Sequence, residues 1–291
     1  MYADIFAAIV PIFICAAIGY TWARSGTPYE TEFVTRMVMN VGTPCLIIAS
    51  LSKTSLPTQA LLETLTAAAL VLLATFILAS LLCKLFGLAY SVYLGPLSFP
   101  NTVNMGLPVS LFAFGEEGLA VALGIYLVVG LAQFTFGIAL ITGVSQWRSS
   151  LRSPLIYAGF LGAAMALSDS HLPLWLENTL QLIGSLSIPL MLITLGVSLA
   201  RLQVKNFSRS LLLSITRLLI GALVGVSVAE LLELEGTVRG VVIIQSTMPS
   251  AVFNYLMAQR YGSSAESVAG IVVMSTLLSF ATLPLLLWLL I

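Results

Sequence analysis

Apolar residues run along this chain in blocks of roughly 20, the length an α-helix needs to cross the hydrocarbon core of a bilayer, and short polar connections separate the blocks. Ten windows fit that rule, near residues 5–23, 33–51, 61–83, 90–114, 119–143, 154–168, 180–200, 210–230, 238–259 and 267–290. The pattern predicts an all-α polytopic membrane protein with ten transmembrane helices. No linker or low-complexity stretch suggests a separate soluble domain. The first window lacks a basic leader and a small-residue cleavage site, so it is expected to stay as the first helix.

Two windows depart from the pattern. The fourth contains FPNTVNMGLPVSLFAFG over residues 99–115, with Pro100, Asn101, Thr102, Asn104, Gly106 and Pro108 close together. The ninth contains QSTMPSAVFNYLMAQRYG over 245–262, with Gln245, Ser246, Thr247, Pro249, Ser250 and Asn254 in an apolar frame. A proline removes a backbone donor and clashes with the preceding turn, so helix breaks are expected at Pro100, Pro108 and Pro249. Lipid offers no hydrogen bonds, so backbone freed at that depth must find partners in protein or in a polar cavity. Interrupted helices at matching places in two halves of a chain point to a transporter's binding site.

The halves do match. Pro44 and Pro189 lie 145 positions apart in similar surroundings, and Gly115 and Gly262 lie 147 apart. That divides the chain into repeats over 1–146 and 147–291, five spans each. Because five is odd, the second copy enters from the opposite face, which makes a 5+5 inverted repeat.

Composition agrees. Of 291 residues 59% are hydrophobic and only 8% charged, against about 25% charged in soluble domains. The formal net charge of zero argues against nucleic acid as a partner. Cys15, Cys45 and Cys83 sit in apolar runs and form neither a disulfide framework nor a metal motif, so no metal is expected. Alternating the loops between two sides puts nine basic residues on one side (Arg24, Arg36, Lys84, Arg148, Arg152, Arg201, Lys205, Arg209, Arg260) and Lys53 and Arg239 on the other. The richer side is cytoplasmic by the positive-inside rule, so both termini face outward across the inner membrane.

PNTVNMGLPVSLFAFG, QSTMPSAVFNYLMAQRYG and IPLMLITLGVSLARL together resemble the auxin efflux carrier family, which includes the plant PIN carriers and their bacterial relatives. The resemblance covers essentially the whole chain. It implies that spans 4 and 9 cross at their breaks, with a scaffold from spans 1, 2, 6 and 7 and a mobile transport domain from spans 3–5 and 8–10. It also implies a homodimer, elevator-type alternating access, and small organic anions such as mono- or dicarboxylates as substrates. The long cytoplasmic loop of many plant members is absent, and Asn254 stands where plant carriers tend to have proline. The bacterial type fits better.

Asn101, Asn104 and Asn254 flank breaks in both repeats and are the first candidates to line a substrate site, expected in one cavity with Gln245 beside them. Half-helix N-termini carry free N–H groups and a positive dipole end, which suit a carboxylate. Ser246 and Ser250 belong to the same candidate site; Pro100, Pro108 and Pro249 shape the breaks. Arg217 lies well inside a span, as a charge partner, a side chain snorkelling to the interface, or a cap on carbonyls. Glu63, Glu117 and Glu230 fall near span ends, and His171 in a loop. Without an acid or histidine at depth an internal proton relay is poorly supported, so no cofactor is assigned, and H+, Na+ or no coupling ion all stay open.

An intramembrane enzyme would need paired aspartates, a zinc motif or a Ser–His pair at depth, and the sequence has none. A solute-sensing receptor on a transporter fold stays open, as does a sodium/bile-acid-type symporter, which substrate-dependent sodium flux would separate from the leading reading.

Overall fold

Helices form along nearly every apolar block of the computed structural model, which describes residues 2–53, 58–142, 154–168, 172–202, 204–261 and 264–290. In order they are α1 (Tyr2–Arg24), α2 (Thr31–Met37), α3 (Thr43–Lys53), α4 (Thr58–Leu85), α5 (Tyr90–Ser98), α6 (Leu107–Ala132), α7 (Ile138–Thr142), α8 (Pro154–Ser168), α9 (Leu174–Ser185), α10 (Ser187–Arg201), α11 (Phe207–Leu231), α12 (Gly236–Thr247), α13 (Val252–Tyr261) and α14 (Ala265–Leu290). Wider π turns at Val38–Gly42, Thr102–Gly106 and Gln133–Gly137 join α2 to α3, precede α6, and join α6 to α7.

Among the described residues, six stretches are long and apolar enough to cross a membrane: Thr31–Ser52, Gln59–Leu85, Thr102–Ile141, Leu174–Arg201, Phe207–Leu231 and Ala265–Leu290. The third is 40 residues long. At 1.5 Å per residue that is about 60 Å, twice the thickness of a bilayer core. Gly115 resolves the mismatch. Its φ of 66° and ψ of −156° are not helical, and they split the stretch into two segments. A side chain there would be strained, so glycine suits the position.

The breaks have a local cause. The residue before proline is pushed out of the helical region, and both Phe99 (φ −94°, ψ 109°) and Met248 (φ −57°, ψ 147°) are extended. Pro108 behaves otherwise. It sits in the first turn of α6, where a missing N–H costs little, and helix continues through it. The expected break at Pro108 is therefore absent, and the interruptions in this half lie at Phe99–Asn101 and at Gly115.

Two groups of helices pack closely. α1 lies along α10, and α3 lies against α8 and α9. A Cβ on Gly19 would strike the Ile193 carbonyl, and one on Gly196 the Ala16 carbonyl, so both glycines permit close approach of the two backbones. In the second group α11 packs against α12, α14 and α4, and α6 against α12 and α4. Large apolar side chains also cover the outside. Leu73, Ile77, Leu81 and Leu85 form one exposed stripe on α4, and Leu212, Leu219 and Leu223 lie exposed on α11. Such surface would be a liability in water and is satisfied by lipid tails.

Candidate functional site

The two breaks meet. Pro100 and Ser250 form an isolated antiparallel bridge. The Asn101 N–H donates to the Pro249 carbonyl at 2.7 Å, and the Ala251 N–H donates to the Phe99 carbonyl at 3.2 Å. Each interruption thus supplies the donor and acceptor that the other has lost, away from water and lipid.

The breaks leave helix ends of opposite polarity. α5 and α12 run into them and end at Ser98 and Thr247. The Thr102–Gly106 turn with α6, and α13 from Val252, start just after them. Helix starts carry partial positive charge and free N–H groups; helix ends carry free carbonyls.

On the side of the helix starts, Pro100, Asn101, Asn104, Tyr126, Gln133 and Phe253 line a cavity. Asn101 caps the turn that follows it, its Oδ1 accepting from the Asn104 N–H at 3.3 Å. Its side chain is 3% exposed, and its Nδ2 has no partner. An unmet buried donor costs about 1–3 kcal/mol. The residue itself lines the cavity. Asn104 is half-buried and lines this cavity and a neighbouring one with Thr31, Thr35 and Thr194.

Asn254 is placed differently. Its Nδ2 donates to the Phe99 carbonyl (3.2 Å) and to Ser250 Oγ (3.1 Å), and its Oδ1 accepts from Gln133 Nε2 (3.1 Å). It clamps one break to the other and faces a separate cavity with Gln133 and Phe99. The three asparagines therefore do not share one cavity. Gln133 lines both spaces and links them. It is also the residue that the sequence reading missed. Its signal was a lone amide in the apolar block LVVGLAQFTFG.

On the side of the helix ends lie Gln245, Ser246 and Arg217, with Ser98, Thr75 and Pro100. Gln245 is buried; its Nε2 donates to Ser110 Oγ at 3.3 Å, while its Oε1 has no partner. The amide lies flat on Gly106, where any Cβ would collide with it. Ser246 directs its hydroxyl to the Ile243 carbonyl. Gly221 and Gly225 of α11 leave room for the Ser246 carbonyl and hydroxyl, so the spacing of small residues on α11 is a close-packing seam. Ser250 closes the site with its N–H donated to Ser275 Oγ at 3.1 Å.

Arg217 does not snorkel. It is 1% exposed, and its Nη2 donates to the Ser246 carbonyl at 3.0 Å. The carbonyl-capping alternative is the one found, although Nε and Nη1 have no partner. Of the three glutamates near span ends, Glu117 is exposed, Glu63 accepts from Gln59, and Glu230 pairs with Arg239 at 2.7 Å. His171 lies outside the described residues. No three of His, Cys, Asp and Glu gather among the described residues, so the polar walls are amides, hydroxyls, main-chain groups and one guanidinium.

A family described as membrane transport protein matches over residues 4–146 and 138–288. An uncharacterized transporter of Methanothermobacter thermautotrophicus is 26% identical over 293 aligned residues, covering 95% of each chain. Another, of Methanocaldococcus jannaschii, is 26% identical over 218 residues, 70% of this chain and 68% of its own. A probable auxin efflux carrier component of Oryza sativa subsp. japonica is 26% identical over 147 residues, 48% of this chain and 39% of the rice protein.

Proposed function

The chain belongs to the membrane transport protein family, that of the auxin efflux carriers, and on that premise we propose that it is a secondary transporter of small organic anions. Its substrate carboxylate binds where the Thr102–Gly106 turn and α13 begin. The observation that carries this reading is the buried, unpartnered Asn101 Nδ2 beside two helix starts in one cavity. A carboxylate leaving water needs charge-assisted hydrogen bonds, and helix starts supply them without a counter-ion of their own.

The proposed architecture has ten spans in a 5+5 inverted repeat. α5 with residues 102–114 makes span 4, and α12 with α13 makes span 9. The main-chain bonds between the breaks support their crossing. The close packing of α1 on α10 and α3 on α8 and α9 supports a scaffold from spans 1, 2, 6 and 7. Spans 3–5 and 8–10 then move as the transport domain of an elevator, in a homodimer joined through the scaffold, with both termini outside. The space beside Asn101 is about 30 Å³, enough for water but not for an organic acid. Binding therefore needs the mobile part to move away from the scaffold.

Uptake of labelled mono- and dicarboxylates by proteoliposomes holding the purified chain tests the function. Saturable, protein-dependent flux of at least one is expected. Flux of none overturns the substrate class, and flux with obligatory substrate-dependent sodium entry favours the sodium/bile-acid type.

A further inference from the structure

Arg217 lies where the two incoming half-helices end. Ser98 closes α5, Gln245 and Ser246 belong to the last turn of α12, and all three line one cavity with the guanidinium. The last carbonyls of a helix lack partners within it, and the helix dipole adds partial negative charge there. Arg217 answers one of those carbonyls, that of Ser246. Two of its nitrogens remain unpartnered, and none of the described residues lining the cavity is acidic. A full positive charge thus stands buried against carbonyl ends, with no carboxylate of the described residues lining its cavity. In carriers built from broken helices, half-helix C-terminal ends and unwound carbonyls coordinate the coupling cation.

We propose that Arg217 is a built-in replacement for a coupling cation: its guanidinium occupies the cation position at the ends of α5 and α12, so the chain carries its anion without binding sodium. The inference rests on reading the chain as an anion carrier, but a fixed cation at a cation site can be tested with no substrate present. The cavity has about 20 Å³ of open space, the scale of one small ion or water. The two cavities divide the work by polarity, since Pro100 lines both and separates a cation at the helix ends from an anion at the helix starts. A guanidinium stays protonated across the working pH range and cannot leave. Loading a monocarboxylate then brings the pair to zero net charge, which favours passage of the loaded form through an apolar interior.

Thermal unfolding of the purified full chain in mild detergent tests this, with sodium chloride against choline chloride at equal ionic strength. The native chain and Arg217→Lys should melt at the same temperature in both salts. Arg217→Ser opens the position. It should melt lower in choline and regain on the order of 2–4 °C as sodium is raised to saturation. Saturable stabilisation of the native chain by sodium overturns the proposal even if Arg217→Ser does not fold. So does a folded Arg217→Ser, or the neutral Arg217→Met, that matches the native melting temperature and ignores sodium. Melts with malonate and malate on the same native sample keep the two readings apart. Carboxylates without effect alongside the expected Arg217 pattern would count against the substrate and leave the fixed cation standing.

Discussion

Gln133 donates through Nε2 to Asn254 Oδ1 across 3.1 Å, tying the π turn after α6 to the first turns of α13. All of the described hydrogen bonds of the Asn254 side chain run to neighbouring protein groups, so this amide holds the two breaks in register.

That arrangement predicts a stability effect. Asn254→Ala leaves the Gln133 amide without its acceptor and Ser250 Oγ without its donor, at a cost of about 1–3 kcal/mol. Gln133→Ala should cost a similar amount. The double variant should cost less than the two together, with a coupling of at least about 0.5 kcal/mol. Melting temperatures in mild detergent check it; additive effects would separate the two residues.

Gly106 makes a second case. Its Cα lies under the Gln245 amide with no room for a methyl group. Gly106→Ala should lower stability by about 1–3 kcal/mol through overpacking. Adding Gln245→Ala should recover most of the loss. A neutral Gly106→Ala, or no recovery in the pair, would contradict the contact.

The breaks were legible in the sequence because proline acts on its own neighbours. Phe99 before Pro100 and Met248 before Pro249 are extended by local sterics alone. Pro108 carries the same letter and was misread, because a π turn places it where helix tolerates a missing donor. The grouping of amides was only partly legible. Asn101 and Asn104 sit three apart on one turn, so their shared cavity follows from spacing. Asn254 and Gln133 meet across 121 positions, and no local pattern says which amide will bind a neighbour and which will stay free. Arg217 illustrates the same limit: depth in a span was readable, the Ser246 carbonyl that receives it was not.

Orientation gives a third prediction. The excess of basic residues places the α10–α11 connection in the cytoplasm. With Cys15, Cys45 and Cys83 replaced, Ser208→Cys, exposed beside Lys205, should resist an impermeant thiol reagent in intact cells and react after permeabilisation. Labelling in intact cells would invert the topology.

A carboxylate is expected to bind at the helix starts through Asn101. The direct measurement is calorimetric affinity of the purified full chain for a panel of mono- and dicarboxylates, compared with Asn101→Ser. Serine keeps an oxygen able to cap the turn at Asn104 but removes the free Nδ2. A charge-assisted hydrogen bond is worth about 1.5–3 kcal/mol, with 1.4 kcal/mol per factor of ten, so affinity should fall about 10- to 100-fold while the melting temperature stays close to native. Equal affinity in a folded Asn101→Ser, or no binding of any carboxylate by the native chain, would rule out a carboxylate site at Asn101.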